Sequence, residues 1–148
     1  MRKLIATCIL FTFAIAAVAA QRSIDQMKAE ADKAEGGRQA KLCAELARQL
    51  VPVADQQFTE THVEQAQNTV QEILKYASKA RDASINSHGK MKETEIILRE
   101  TQRKLQELRR TLSVDDRQPL EEVGKKLEQF RQDILNEMFA PPKKKESR

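Results

Sequence analysis

An all-α bundle is the fold class this sequence predicts, and three observations predict it. Glycine and proline number only four each in 148 residues. No stretch alternates apolar and polar residues with the period of a strand, and apolar residues recur instead at steps of three and four. The expected architecture is an up-and-down antiparallel bundle of three or four long helices after a cleaved signal peptide, with a coiled-coil-like seam in Met91–Leu112.

Residues 1–20 carry the anatomy of an export signal. Arg2 and Lys3 are followed by an apolar run, Leu4 to Val18, and the small residues Val18 and Ala20 precede Gln21. The run falls short of the roughly 20 apolar residues that comfortably span a bilayer. Residues 1–20 are therefore read as a signal peptide, 21–139 as one helical bundle domain and 140–148 as a disordered basic tail. The product is expected in the periplasm or outside the cell. Cys8 leaves with the leader; Ala6 and Thr7 precede it inside the apolar core, so it lacks the small-residue context that lipid attachment needs. Cys43 then stands alone, without an internal disulfide, so stability must come from packing. Beside the apolar stripe it is expected to be buried as a small hydrophobe.

The individual elements follow from their stripes. A short helix is expected over residues 23–35, with Ile24, Met27, Ala31 and Ala34 on one side, until Gly36-Gly37 interrupts it. Arg38–Phe58 carries Leu42, Leu46, Leu50 and Val53, widened by Cys43, Ala54 and Phe58. Pro52 lies inside this segment and is expected to bend or break it, because its ring meets the preceding turn and it has no N–H to donate. Thr61 with Glu64 has capping-box spacing and opens a helix over residues 61–86. Asn86-Ser87-His88-Gly89 is turn-forming and closes it. In Met91–Leu112, Thr94, Leu98, Thr101, Leu105, Leu108 and Leu112 alternate steps of four and three, the spacing of a coiled-coil seam. Glu95→Arg99 and Glu100→Lys104 support that helix at i,i+4. Asp115-Asp116 and Pro119 start the last helix, to about residue 139, striped by Leu120, Val123, Leu127, Phe130, Ile134 and Met138. Glu121→Lys125 and Glu122→Lys126 lie along its outer side, and Pro141-Pro142 ends it.

Within this pattern, Ala54 and Ala66 stand twelve residues apart, with Leu50 and Val70 beside them. These are the small and large positions of a helix pair, and the Arg38–Ala80 hairpin resembles a tetratricopeptide repeat unit. Gln57 and Thr61 occupy the positions where that family has an aromatic residue and a turn glycine. No second copy follows at about 34 residues. The resemblance implies a peptide- or protein-binding groove.

Charge and chemistry narrow the function. The net charge of +4 gathers at the two ends: Arg2 and Lys3 in the leader, and Lys143, Lys144, Lys145 and Arg148 in the tail. The body between is close to neutral, and no aromatic residues sit among the basic ones, which argues against nucleic acid. The tail is the candidate contact with an anionic envelope surface. At about 1 kcal/mol for each basic residue it assists an encounter without anchoring the chain. His62 and His88 stand far apart with no partner at ligand spacing, and no phosphate loop, nucleophile elbow or His-Glu metal motif occurs. No catalytic, cofactor or metal residues are assigned, and the chain is read as no enzyme. The expected function is an exported helical interaction or scaffold protein of the cell envelope, acting on a protein partner or on itself. Leu98, Leu105, Leu108 and Leu112 form the candidate self-association seam of a homodimer. The alternative is a periplasmic chaperone-like or tetratricopeptide-like peptide-binding module.

Overall fold

The computed structural model describes residues 23–141. Over these it is almost wholly helical, and no strand occurs among them. Helix α1 spans residues 23–33, and α2 spans Gly36–Thr59, α3 Val63–Ser87, α4 Met91–Thr111 and α5 Val114–Met138. The leader at residues 1–20 and the tail cations Lys143, Lys144, Lys145 and Arg148 lie outside the described residues.

The bundle is built from two helical hairpins laid side by side. In the first, α2 and α3 run antiparallel: the Thr69 hydroxyl donates to Gln57 Oε1 at 2.7 Å at one end, and Gly36 approaches Ser87 at the other. In the second, α4 and α5 run antiparallel through Glu95–Arg131 and Arg109–Glu121. The hairpins then meet like with like. Lys41–Glu93 and Arg48–Glu100 join α2 to α4 as parallel neighbours, and Arg81–Asp133 and His88–Glu137 do the same for α3 and α5. Arg48–Glu100 and Arg81–Asp133 are each separated by 52 residues. Helix direction alternates along the chain as expected, but α3 and α4, consecutive in sequence, scarcely touch. Helix α1 lies along α3, held by Lys28–Glu72 and Lys79–Asp32.

The core explains why the first hairpin packs most closely. Ala40, Ala44, Ala47 and Ala54 of α2 are fully buried, as are Ala66, Ala77 and Ala80 of α3. Small side chains let helix axes approach, while Leu46, Leu50, Val70 and Ile73 fill the space between the layers. The buried side of α2 is therefore centred on Cys43, Leu46, Ala47 and Leu50, with Leu42 turned to its margin.

Pro52 does not break its helix: α2 is continuous from Gly36 to Thr59. The residue faces solvent between buried Val51 and Ala54. A proline on the outer side loses one backbone hydrogen bond, and its neighbours' burial outweighs that cost.

The turns depart from the capping that the sequence suggests. Thr61 is not a helix cap; it has φ 62°. The Thr61 N–H donates to the Phe58 carbonyl at 3.1 Å and the His62 N–H to Gln57 at 2.8 Å. This is the Schellman pattern, with Thr61 in the left-handed position that glycine usually fills. The α3 end repeats it: His88 has φ 50°, and the N–H groups of His88 and Gly89 reach the carbonyls of Ile85 and Ser84. Gly36-Gly37 do not separate two helices by two residues of coil. Gly36, with φ 56°, turns the chain and begins α2 itself.

The seam of α4 is consumed inside the molecule. Thr94, Leu98 and Thr101 are fully buried and Leu105 and Leu108 almost so, while Leu112 packs partly buried against the same core. The stripe that could have joined two copies faces the chain's own helices. On the flank of the same hairpin, Glu95 is buried to 4 % exposure. It accepts from Arg99 and from Arg131 Nε, and Arg131 also donates to Gln102 and Glu128 at 2.8 and 2.7 Å. Burial by itself would raise the Glu95 carboxyl above its ordinary value, but the two guanidinium groups outweigh it and hold it below. Two of the expected surface pairs are replaced, one by a contact between helices and one by a contact within α5. Glu100 bonds Arg48 of α2 rather than Lys104, and Glu122 accepts from Gln118, leaving Lys126 free to turn elsewhere.

Candidate functional site

Parallel packing of α3 and α5 leaves an open groove of about 530 Å³ between their outer sides. Its floor is apolar. Leu74 is half-buried, and Phe130 contributes the edge of a ring that is otherwise in the core. Lys75 from α3 and Lys126 from α5 stand on the rim, with Gln71 and Gln129 beside them. Helical spacing places them there: Gln71, Leu74, Lys75 and Ser78 follow one another at i, i+3, i+4 and i+7, as Lys126, Gln129 and Phe130 do at i, i+3 and i+4.

One end of the groove is held rigid by Arg81. Its guanidinium lies 4.5 Å over the Phe130 ring and bonds Asp82 at 2.8 Å and Asp133 at 3.1 Å. Partial burial works against this cation, and the two carboxylates more than compensate, so its pKa is raised further. The neighbouring cations differ. Lys28, Lys41, Arg48, Lys79 and Arg131 all close ion pairs between helices. Among the described residues, Lys75 and Lys126 enter no such pair. The Lys75 ammonium rests 5.4 Å from the Tyr76 ring centroid. The groove thus presents two uncompensated positive charges and several amides above an apolar strip, a combination suited to a carboxylate-bearing segment of chain.

The remaining candidates sit apart from this groove. Cys43 is fully buried and free. Desolvation pushes its thiol up to about 11, with Lys79 lowering and Asp32 raising it to smaller extents. It is placed as a packing residue, inaccessible to a second chain. His62 and His88 are exposed, with Glu60 and Glu137 respectively 3.6 and 3.5 Å away. Among the described residues no group of three or more His, Cys, Asp and Glu converges as a metal site. No helix among them is long and apolar enough to cross a membrane.

A second surface feature lies where α4 begins and α5 ends. Met91, Ile96 and Met138 line a depression of about 550 Å³ bordered by Lys90 and Lys92. Ile96 is 40 % exposed, and Phe139, immediately after Met138, is 79 % exposed.

Neither feature was named from the sequence. Spacing in the sequence pairs Lys126 with Glu122 and gives Phe130 to the core stripe. The available signal was weak: Lys75 has Gln71 and Lys79 four residues to either side, so no i,i+4 acid accounts for it. No family model matches the chain, and no curated protein or solved structure matches it either.

Proposed function

We propose that this chain is an exported helical interaction protein that receives a segment of a partner protein in the groove between α3 and α5. One observation carries the reading: the exposed Lys75 and Lys126, neither with an ion-pair partner among the described residues, line a single groove together with the apolar Leu74 and Phe130. A partner segment with an acidic residue and an apolar side chain satisfies both features, the carboxylate on the lysines and the side chain on Leu74 and Phe130. Export is supported by Arg2, Lys3 and the apolar run ending before Gln21.

The stacking of two hairpins in fixed parallel register favours the peptide-binding form of this reading, because side-by-side helical hairpins create continuous inter-helix grooves. Self-association through Leu98, Leu105, Leu108 and Leu112 is not part of it, since those side chains are occupied within the fold. The test is a photo-crosslinking residue at Ser78, within the groove, in the native envelope. A discrete adduct is expected, and Lys75→Glu with Lys126→Glu should abolish it. An adduct indifferent to both charge reversals, or crosslinking only to the chain itself, overturns the proposal.

A further inference from the structure

We propose that the end of the bundle formed by the start of α4 and the close of α5 docks on an anionic lipid surface, with Phe139 as its apolar wedge. This is a different surface from the α3–α5 groove and does not rest on it.

Phe139 is the last residue before the chain leaves the bundle, and 79 % of it is exposed. Met138, its neighbour in the chain, lines the depression with Met91 and with Ile96, which is 40 % exposed. Exposed apolar groups bordered by polar ones are the kind of surface that marks a contact site. The border is basic. Lys92 joins no ion pair among the described residues, Lys90 stands by Glu93 at 3.2 Å, and the sequence reaches Lys143, Lys144 and Lys145 only four residues beyond Phe139. Of the acidic groups at this end, Glu93 is paired with Lys41 and Lys90, Glu137 lies 3.5 Å from His88, and Glu35, just before α2, has no ion-pair partner among the described residues, so lysines outnumber rather than exclude acids here.

Two properties favour lipid over a protein surface. A stable protein interface buries about 1,200–2,000 Å² with matched shape, whereas four apolar side chains at the corner of a bundle offer far less. A bilayer interface needs no matched shape; it takes an aromatic wedge into the headgroup boundary while lysines meet anionic headgroups. The position also suits a plane. Helix α5 stops at Met138, so Phe139 lies at the end of the bundle rather than along its side.

The experiment is co-flotation of the purified chain with vesicles of phosphatidylcholine, with and without phosphatidylglycerol. Binding is expected only to the anionic vesicles and should be reversed by high salt. Phe139→Ala, in a side chain outside the core, should weaken it about tenfold, or ~1.4 kcal/mol. Lys75→Glu should leave it unchanged, which separates this surface from the groove. Absence of binding to phosphatidylglycerol vesicles overturns the proposal. So does equal binding by Phe139→Ala and the parent, which would reduce the contact to charge on the tail alone. Capture of an acidic protein through Phe139, with no affinity for vesicles, would also overturn it.

Discussion

Gly37 and Gly89 meet backbone to backbone where the first turn of α2 abuts the link between α3 and α4. A Cβ on Gly89 would stand 3.0 Å from the Gly37 Cα and from Ser87 Oγ, and a Cβ on Gly37 would stand 3.2 Å from the Gly89 backbone. Neither residue has a positive φ, so closeness rather than conformation demands glycine there. Gly89→Ala is expected to push the link away from α2 and cost about 1–3 kcal/mol. Gly124→Ala is the contrasting case. That glycine lies within α5, and its Cβ would have nothing within 4 Å. It should gain about 0.5–1 kcal/mol from helix propensity. Urea unfolding of the two variants, one on each side of the parent, checks both signs.

Pro52 identifies a second place where stability can be gained. Its neighbours hold α2 together across the missing hydrogen bond to the Arg48 carbonyl, and its own ring is exposed. Pro52→Ala restores the donor and removes no core contact, so it should stabilise the chain by about 1–3 kcal/mol. The thermal midpoint is the measurement. A fall would mean that the proline shapes α2 in a way its neighbours require.

The extent to which the fold was legible in the sequence depended on the range of the interactions concerned. Stripes such as Leu120, Val123, Leu127, Phe130 and Ile134 have the helical period written into one segment, and those helices are where the period puts them. The link at Gly36-Gly37 was found but misread, because its role depends on Gly89, remote in sequence and adjacent in space. Thr61 carries capping-box chemistry, yet the end of α2 uses its backbone as a Schellman residue first. Pairing order was invisible for the same reason. Lys41–Glu93 and Arg48–Glu100 can be recognised as parallel register only after α2 and α4 are known to touch. The groove is not legible in the sequence because Lys75 and Lys126, 51 residues apart, come to line one depression only once α3 and α5 are known to pack together.

Cys43 gives a prediction at alkaline pH. Its ordinary thiol value is 9.0, and in the fold desolvation pushes it up to about 11. Above 9.0 the unfolded chain gives up this proton while the folded chain keeps it, so stability falls as pH rises from that value toward about 11. The same burial raises Tyr76, which adds to the loss above its ordinary 10.0. Cys43→Ala should remove the first part of this decline and leave the Tyr76 part. The native thiol should also resist a disulfide-forming reagent at neutral pH and react once urea unfolds the chain. A molecular mass unchanged by reductant is the accompanying expectation, because a fully buried sulfur cannot join two folded copies.

Glu95 and Arg131 give the opposite pH dependence. The Glu95 carboxyl is held below its ordinary 4.5, so its contribution is present above that value and is lost as pH falls through the lowered one. Arg131→Met removes the α5 cation that pairs with Glu95 and leaves a buried carboxylate with Arg99 as its remaining charged partner. A cost of about 2–3 kcal/mol at neutral pH is expected. Glu95→Leu combined with Arg131→Met should recover most of that loss, because packed apolar groups can replace a buried ion pair when both charges go together. The double variant should also show a shallower acid decline than the parent. Some decline persists, since Glu93, Glu100, Glu121 and Glu128 are likewise held below the ordinary value by their own partners. Urea titrations of the three proteins at neutral and acid pH separate the terms. A double variant as unstable as Arg131→Met alone would show that the Arg131 side chain acts through its hydrogen bonds to Gln102 and Glu128 rather than through Glu95.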